Sequence, residues 1–209
     1  MTKIRWIIYG ISLCVLCAYI VTSQYRSKPI EYVVDKKTVE TAPFGGDFTL
    51  TNADNKPFFL HEARGKFVVL YFGYTFCPDI CPLGLSNISK ALASLERDRD
   101  QFVPIFITVD PKRDTAELLK VYASNFDPAF VMLTGTDKAI ETVKDQYRVY
   151  AKSVAHGNAY LVDHSTYVYL LDREGKFIKH IPHDMIAAEM KRVFVELLTT
   201  KKGAVSEKK

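Results

Sequence analysis

From residue 43 onward, short apolar runs and polar turns succeed one another along the chain, with two periods legible in them. Residues 48–50 and 58–60 are apolar and flank the turn-forming Asn52, Asp54 and Asn55, the composition of a β-hairpin. Residues 67–71 (FVVLY) form a continuous β-branched and aromatic run, suited to a strand buried on both faces. Over residues 82–95 the spacing becomes helical, with Leu85, Ile88, Leu92 and Leu95 on one face. Residues 102–109 (FVPIFITV) return to a strand pattern. Asp114 then reads as a helix cap, and Glu117 three residues on completes a capping box ahead of Leu118, Leu119 and Tyr122. Residues 130–133 are a third buried strand, followed by a helix over residues 137–146.

The pattern then changes character. Residues 166–171 and 176–181 flank Asp172, Arg173, Glu174 and Gly175, which predicts an antiparallel hairpin. A last helix, capped by Asp184, is expected to bury Ile186, Met190, Val193, Phe194 and Leu197. The earlier β-α-β-α alternation requires parallel pairing with right-handed crossovers. A mixed central sheet flanked by helices, with βαβ first and ββα last, is the ordering of a thioredoxin-like α/β fold. That ordering carries no chemistry by itself.

Ahead of this domain, the sixteen residues 6–21 carry no charge and are bracketed by Lys3 and Arg5 on one side and Arg26 and Lys28 on the other. The run is just under the ~17-residue lower limit for a spanning helix, and Thr22, Ser23 and snorkelling flanks extend it. No small-x-small cleavage site follows cleanly, and Leu16 before Cys17 argues against a lipoprotein signal. We therefore expect a single transmembrane helix as an anchor over residues 1–22, a polar tether over 23–43, the folded domain over 44–199 and a disordered tail over 200–209. Basic residues on both sides leave orientation open. So few residues precede the apolar run that an organelle presequence has no room, and the chain reads as bacterial.

With 209 residues, 48% of them hydrophobic, the chain can bury one good core and is short for two domains. Net charge is +4, of which residues 1–43 supply +3, so the domain itself is nearly neutral and nothing argues for a nucleic-acid partner.

The chemistry concentrates in "YFGYTFCPDICPLGLSNISKAL", residues 71–92. Cys77 and Cys81 fall in a turn from strand to helix, and in open parallel sheets ligands gather beyond the carboxyl ends of strands. Pro82 fits the first helical position and would hold Cys81 outside the helical region. Both sulfurs then lie near a helix N-terminus, whose dipole stabilises thiolate, the reactive and metal-binding form. One helical turn at ~1.5 Å per residue separates the two Cα atoms by about 6 Å, inside the ~4.4 to 6.8 Å disulfide window. A redox couple and a metal pair are both permitted. Oxidoreductases of this fold place two residues between their cysteines; here there are three, and the wider loop lets two thiolates splay around an ion. Cys14 and Cys17, i and i+3 within the apolar run, read as small hydrophobes.

Imidazole would complete a trigonal site with two thiolates, and soft sulfur ligands select Cu(I) or zinc. Among five histidines, His164 stands out because it directly precedes the strand expected at residue 166, where a thioredoxin-like oxidoreductase carries a cis-proline. Asp163, His164, Ser165 and Thr166 contain no proline. His61 reads as a surface residue, His156 as a loop residue, and His180 and His183 as a solvated hairpin end around Pro182. The cluster Asp110, Pro111, Arg113 and Asp114 reads as strand exit and helix capping. Asp79 reads as solvated, and Asp163 is placed to orient neighbouring groups.

"YFGYTFCPDICP", "ITVDPKRDT" and "YLVDHSTYVYLLD", in that order, resemble the Sco/SenC proteins, membrane-anchored thioredoxin-fold copper chaperones of cytochrome c oxidase assembly. The resemblance covers residues 45–198. It implies that Cys77, Cys81 and His164 are copper ligands. It implies a bacterial inner-membrane location with the domain in the periplasm, and cytochrome c oxidase subunit II, whose copper A centre is loaded, as partner beside a copper donor chaperone. The copper ion is expected as Cu(I), with Cu(II) as the alternative. Residues 151–159 offer nothing distinctive of that family. Two readings follow. In one the protein binds and transfers copper and turns over no substrate; in the other it is a thiol-disulfide reductase, Cys77 attacking and Cys81 resolving, that keeps the oxidase subunit's cysteines reduced.

Overall fold

The most uniformly apolar run forms the centre of the sheet. Residues Phe67–Gly73 make strand β3, with all seven side chains buried. It runs parallel to β4 (Phe102–Thr108), and β4 runs parallel to β5 (Val131–Thr134). This computed structural model describes residues 44–157 and 159–206. The chain divides into one unit over residues 1–40 and a second over 41–209, and the described residues belong to the second. The expected anchor at 1–22 and tether at 23–43, with Cys14 and Cys17, lie outside the described residues. Among the described residues no helix is long and apolar enough to cross a membrane.

Antiparallel strands extend the parallel core on both sides. β1 (Thr49–Asn52) pairs with β2 (Pro57–Phe59), Leu50 opposite Phe58, and joins β5 on its other side. Asn52 Oδ1 accepts the N–H groups of Asp54 and Lys56, which closes that hairpin's turn. On the far side β8 (Tyr167–Leu171) pairs with β3 and then with β9 (Phe177–Pro182). The order is β2-β1-β5-β4-β3-β8-β9, a mixed sheet with its parallel strands at the centre. Gly175, at φ +81°, supplies the left-handed position of the β8–β9 turn, and Asp172 Oδ1 accepts the N–H groups of Glu174 and Lys176.

Among the described residues four α-helices pack on this sheet: α1 (Ile80–Ala93), α2 (Ala116–Ala123), α3 (Asp137–Gln146) and α4 (Ala187–Ser206). The predicted apolar face of α1 is buried through Leu85, Ile88 and Leu92, and Leu95 is buried just past its end. Phe194 of α4 meets Phe102 of β4 at a ring separation of 5.1 Å.

Four details differ from expectation. α1 begins at Ile80, so Pro82 is its third residue and Cys81 is helical. A proline is tolerated there because no N–H of the first turn has an intrahelical partner. Thr115, not Asp114, caps α2, accepting from the Leu118 N–H at 3.3 Å. α4 starts at Ala187 rather than beside Asp184 and leaves Ile186 58% exposed. The same helix runs on to Ser206, into the stretch read as a disordered tail; residues 207–209 lie outside the described residues.

A further element had not been expected at all. β6 (Ala151–His156) and β7 (Ala159–His164) form a separate two-stranded sheet, so residues 151–156 are a strand where the sequence reads as loop. β6 buries none of its side chains fully, and on β7 only Val162 and His164 are buried. An exposed hairpin needs no apolar alternation, so it leaves little trace in the residue pattern.

The aromatic layer between β3 and β4 generates a direct test. Phe106 is fully buried against Tyr71 and Tyr122. Phe106→Ala is expected to cost about 3 to 5 kcal/mol, read as a lowered midpoint in a denaturant titration at unchanged slope.

Candidate metal centre

β3 ends at Gly73 and α1 begins at Ile80, and the six-residue loop between them delivers Cys77 to the N-terminal end of that helix. The cap residue Asp79 makes no side-chain capping bond. Instead the Cys81 N–H donates to Cys77 Sγ at 3.4 Å, and the sulfur occupies the acceptor position that a capping oxygen would take. Negative charge on that sulfur is favoured by the helix dipole. Cys81 lies one turn deeper, fully buried, and both cysteines are free thiols.

Gly73 makes room for this arrangement. A Cβ at that position would stand 2.8 Å from Phe106 Cε2 and 3.1 Å from Cys81 Sγ, so any larger residue would push on the deeper sulfur.

His164 arrives from the last position of β7 and is itself buried. Its Nδ1 lies 2.9 Å from the Ser165 carbonyl oxygen. A carbonyl can only accept, so Nδ1 carries the ring proton and donates it. Nε2 is then the bare lone-pair nitrogen, and it points at Cys81 Sγ at 3.4 Å. Holding one ring nitrogen on a backbone carbonyl while freeing the other is how proteins prepare an imidazole for ligation.

Burial and mutual hydrogen bonding drive the two thiols apart in acidity. Cys77 is pulled well below the ordinary thiol value, first by the hydrogen bond from the Cys81 side chain and further by the backbone N–H groups of Asp79 and Cys81, against the opposing effect of burial. Cys81 is pushed far up, because it gives its hydrogen bond to Cys77 and because it is buried. Of the two sulfurs, Cys77 is therefore the one that favours the thiolate. Beneath them the hydroxyls of Tyr71 and Tyr122 are buried without a hydrogen-bond partner among the described residues. Burial is the chief reason that both phenols resist ionisation, and the sulfurs add to it.

The donor set is chemically suited to a soft metal: two sulfurs and one imidazole nitrogen. Ligands at the ~2.3 Å sulfur and ~2.0 Å nitrogen bond lengths of a zinc-type site, opened to a tetrahedral angle, stand about 3.5 Å apart. The 3.4 Å between Cys81 Sγ and His164 Nε2 is close to that separation. Among the described residues no three His, Cys, Asp or Glu side chains already surround a common metal position. The three groups here are drawn together by hydrogen bonds, so a metal must displace protons and spread them.

A cleft of about 500 Å³ opens beside Cys77, with Tyr74 and Ile80 on one wall and Val154 and Leu161 on the other. Asp79, His156 and Asp163 also border it, as exposed residues. His61 is exposed beside a separate cleft at the first hairpin, and the His180 ring packs at a tilt against Tyr167 at 4.6 Å; neither borders the cleft beside Cys77. Asp114 is the functional residue that sequence reasoning misplaced. It is fully buried and accepts from Thr75 N–H at 3.0 Å, Thr75 Oγ1 at 2.6 Å and Thr108 Oγ1 at 2.6 Å. It thereby ties the sulfur-bearing loop to the end of β4. The available signal was Thr108, a polar residue inside an otherwise apolar strand, six positions ahead.

Fold and site together define a thioredoxin-like α/β domain carrying a dithiol and an imidazole at the carboxyl end of its central strand. The chain belongs to the SCO1/SenC family, which it matches over residues 36–199. A SCO2-like protein of Rickettsia prowazekii is 40% identical to it over 153 residues, covering 72% of this chain and 75% of the relative. The copper-bound structure of Bradyrhizobium japonicum ScoI is similar at 40% identity and a TM-score of 0.65, covering 71% of this chain and 98% of that one. Arabidopsis thaliana ScoI, also with copper bound, gives a TM-score of 0.72 at 34% identity, covering 75% and 99%.

Asp114 generates the test here. Its carboxyl is raised above the ordinary 3.8, chiefly by burial, with the threonine hydrogen bonds opposing. A raised folded-state value means that the acid's contribution to stability is complete below 3.8 and is lost as pH rises through the folded value. Asp114→Asn is expected to flatten that part of the stability profile, measured by urea unfolding across the acid range. Asp114→Ala strands the Thr75 donors and is expected to cost about 1 to 3 kcal/mol.

Proposed function

We propose that this domain is a copper metallochaperone that holds Cu(I) between Cys77, Cys81 and His164 and gives it up by ligand exchange. The observation that carries the reading is the His164 ring: Nδ1 is committed to the Ser165 carbonyl, and Nε2 faces Cys81 Sγ. Copper bound in the Bradyrhizobium and Arabidopsis relatives supports the choice of metal. The resemblance to oxidase-assembly chaperones supports the destination, the copper A centre of cytochrome c oxidase subunit II, with a separate copper donor upstream. On the same reading residues 1–22 anchor the domain to a bacterial inner membrane on its periplasmic side.

The chemistry follows from the acidity of the pair. Cys77 supplies a ready thiolate near the surface and is the first point of attachment. Cys81 must then lose its proton, and the facing imidazole nitrogen is placed to take part in that loss. Loading releases protons, and affinity falls as pH drops because protons compete for the same lone pairs. A disulfide between the cysteines would remove both sulfur donors, so loading needs a reductant.

The same asymmetry supports a thiol-disulfide reductase as the second reading, since a readily ionised Cys77 and a Cys81 that holds its proton more tightly suit attack and resolution. His164→Ala separates the two. It is expected to lower Cu(I) affinity by more than tenfold in a chelator competition while leaving exchange with a small disulfide close to wild type. Copper binding at wild-type strength would remove His164 from the site. X-ray absorption on the reduced, copper-loaded protein is expected to return two sulfurs and one nitrogen; a sulfur-only shell would contradict the assignment.

A further inference from the structure

The two parts of the site reach the cleft on different supports. The sulfurs come from the main body, whereas His164 comes from the β6–β7 hairpin, which has no strand partner in the seven-stranded sheet. What holds that hairpin over the sulfur loop is side-chain contact, and one side chain touches all the segments involved.

Arg113 lies between β4 and α2. Its guanidinium carbon is 3.7 Å from the ring centroid of Tyr160, 4.7 Å from that of Phe76 and 5.7 Å from that of Tyr74. Tyr160 is on β7, four residues ahead of His164, and Phe76 directly precedes Cys77. Arg113 Nη1 donates to the Tyr160 carbonyl oxygen at 2.9 Å. Its Nε donates to Asp110 Oδ2, and Asp110 Oδ1 accepts the Tyr160 hydroxyl at 2.9 Å. Arg113 Nη2 is buried without a hydrogen-bond partner among the described residues, so the side chain holds this place at a cost to its own solvation. A flat cation stacked among three rings and bonded along its edge requires a guanidinium; an ammonium cannot reproduce it.

We infer that Arg113 is a positioning residue of the metal centre: it clamps β7 to the Cys77 loop and so fixes the gap between the His164 imidazole and the sulfurs. This rests on the reading of His164 as a ligand. Arg113 does not touch the metal; it acts through where it holds the hairpin.

The test is a double-mutant cycle on the full-length reduced protein, with Cu(I) affinity read by chelator competition. Arg113→Lys is expected to weaken binding by about tenfold, and to weaken it no further once His164 is already alanine. In the metal-free protein, amide hydrogen exchange is expected to accelerate along β7 in Arg113→Lys and in Tyr160→Leu, while α3 keeps its protection. Equal losses in the wild-type and His164→Ala backgrounds would overturn the inference, as would wild-type affinity with unchanged β7 exchange in Arg113→Lys. If His164→Ala itself binds Cu(I) normally, the ligand assignment fails and the metal-centre role of Arg113 fails with it. Faster β7 exchange in Arg113→Lys would then mark the clamp alone as real.

Discussion

The contact between Cys81 Sγ and His164 Nε2 joins positions 83 residues apart, and most of the domain can be understood as the apparatus that makes it. Neither partner could hold its place alone. A helix end gives Cys81 its depth, and the Ser165 carbonyl gives the imidazole its proton placement. Because the sulfur is buried, the imidazole does not compete with water for it, and the 3.4 Å spacing is set by the protein instead.

A centre of this kind needs a stiff floor and an adjustable roof. The floor is β3, buried along its whole length and paired on both sides, with Gly73 admitting the deeper sulfur and Phe106 closing the layer beneath. Asp114 fastens the loop above it through Thr75 and Thr108. The roof is the β6–β7 hairpin, small, exposed and tied down by side chains. Such an element can shift with less loss of packing than a core strand, which suits the metal loading and release proposed for this site.

Much of the scaffold was legible because its strands and helices bury different faces. The run FVVLY could belong only to a central strand, and Leu85, Ile88 and Leu92 marked the inner face of α1. The hairpin at residues 151–164 escaped because its burial is confined to Val162 and His164 and its cross-strand partners face solvent. Asp114 escaped for a related reason. Asp-Thr before a helix is the ordinary signature of a cap, and only folding shows that Thr115 takes the capping role while Asp114 turns inward to Thr75. Arg113, in the same turn, gave no sign that its neighbours would be Phe76 and Tyr160.

By itself the sequence determined the candidate donors, two thiols and an imidazole, their order and the strand-to-helix turn that carries both thiols, since these depend on residue identity and on spacing within one turn of chain. It also marked His164, by placing an imidazole directly before an expected strand, where a thioredoxin-like oxidoreductase carries a cis-proline. Only the tertiary structure decided which sulfur favours the thiolate, which ring nitrogen is bare and what keeps the hairpin over the sulfurs. Those outcomes depend on burial and on contacts between segments far apart in sequence, quantities that no local pattern encodes.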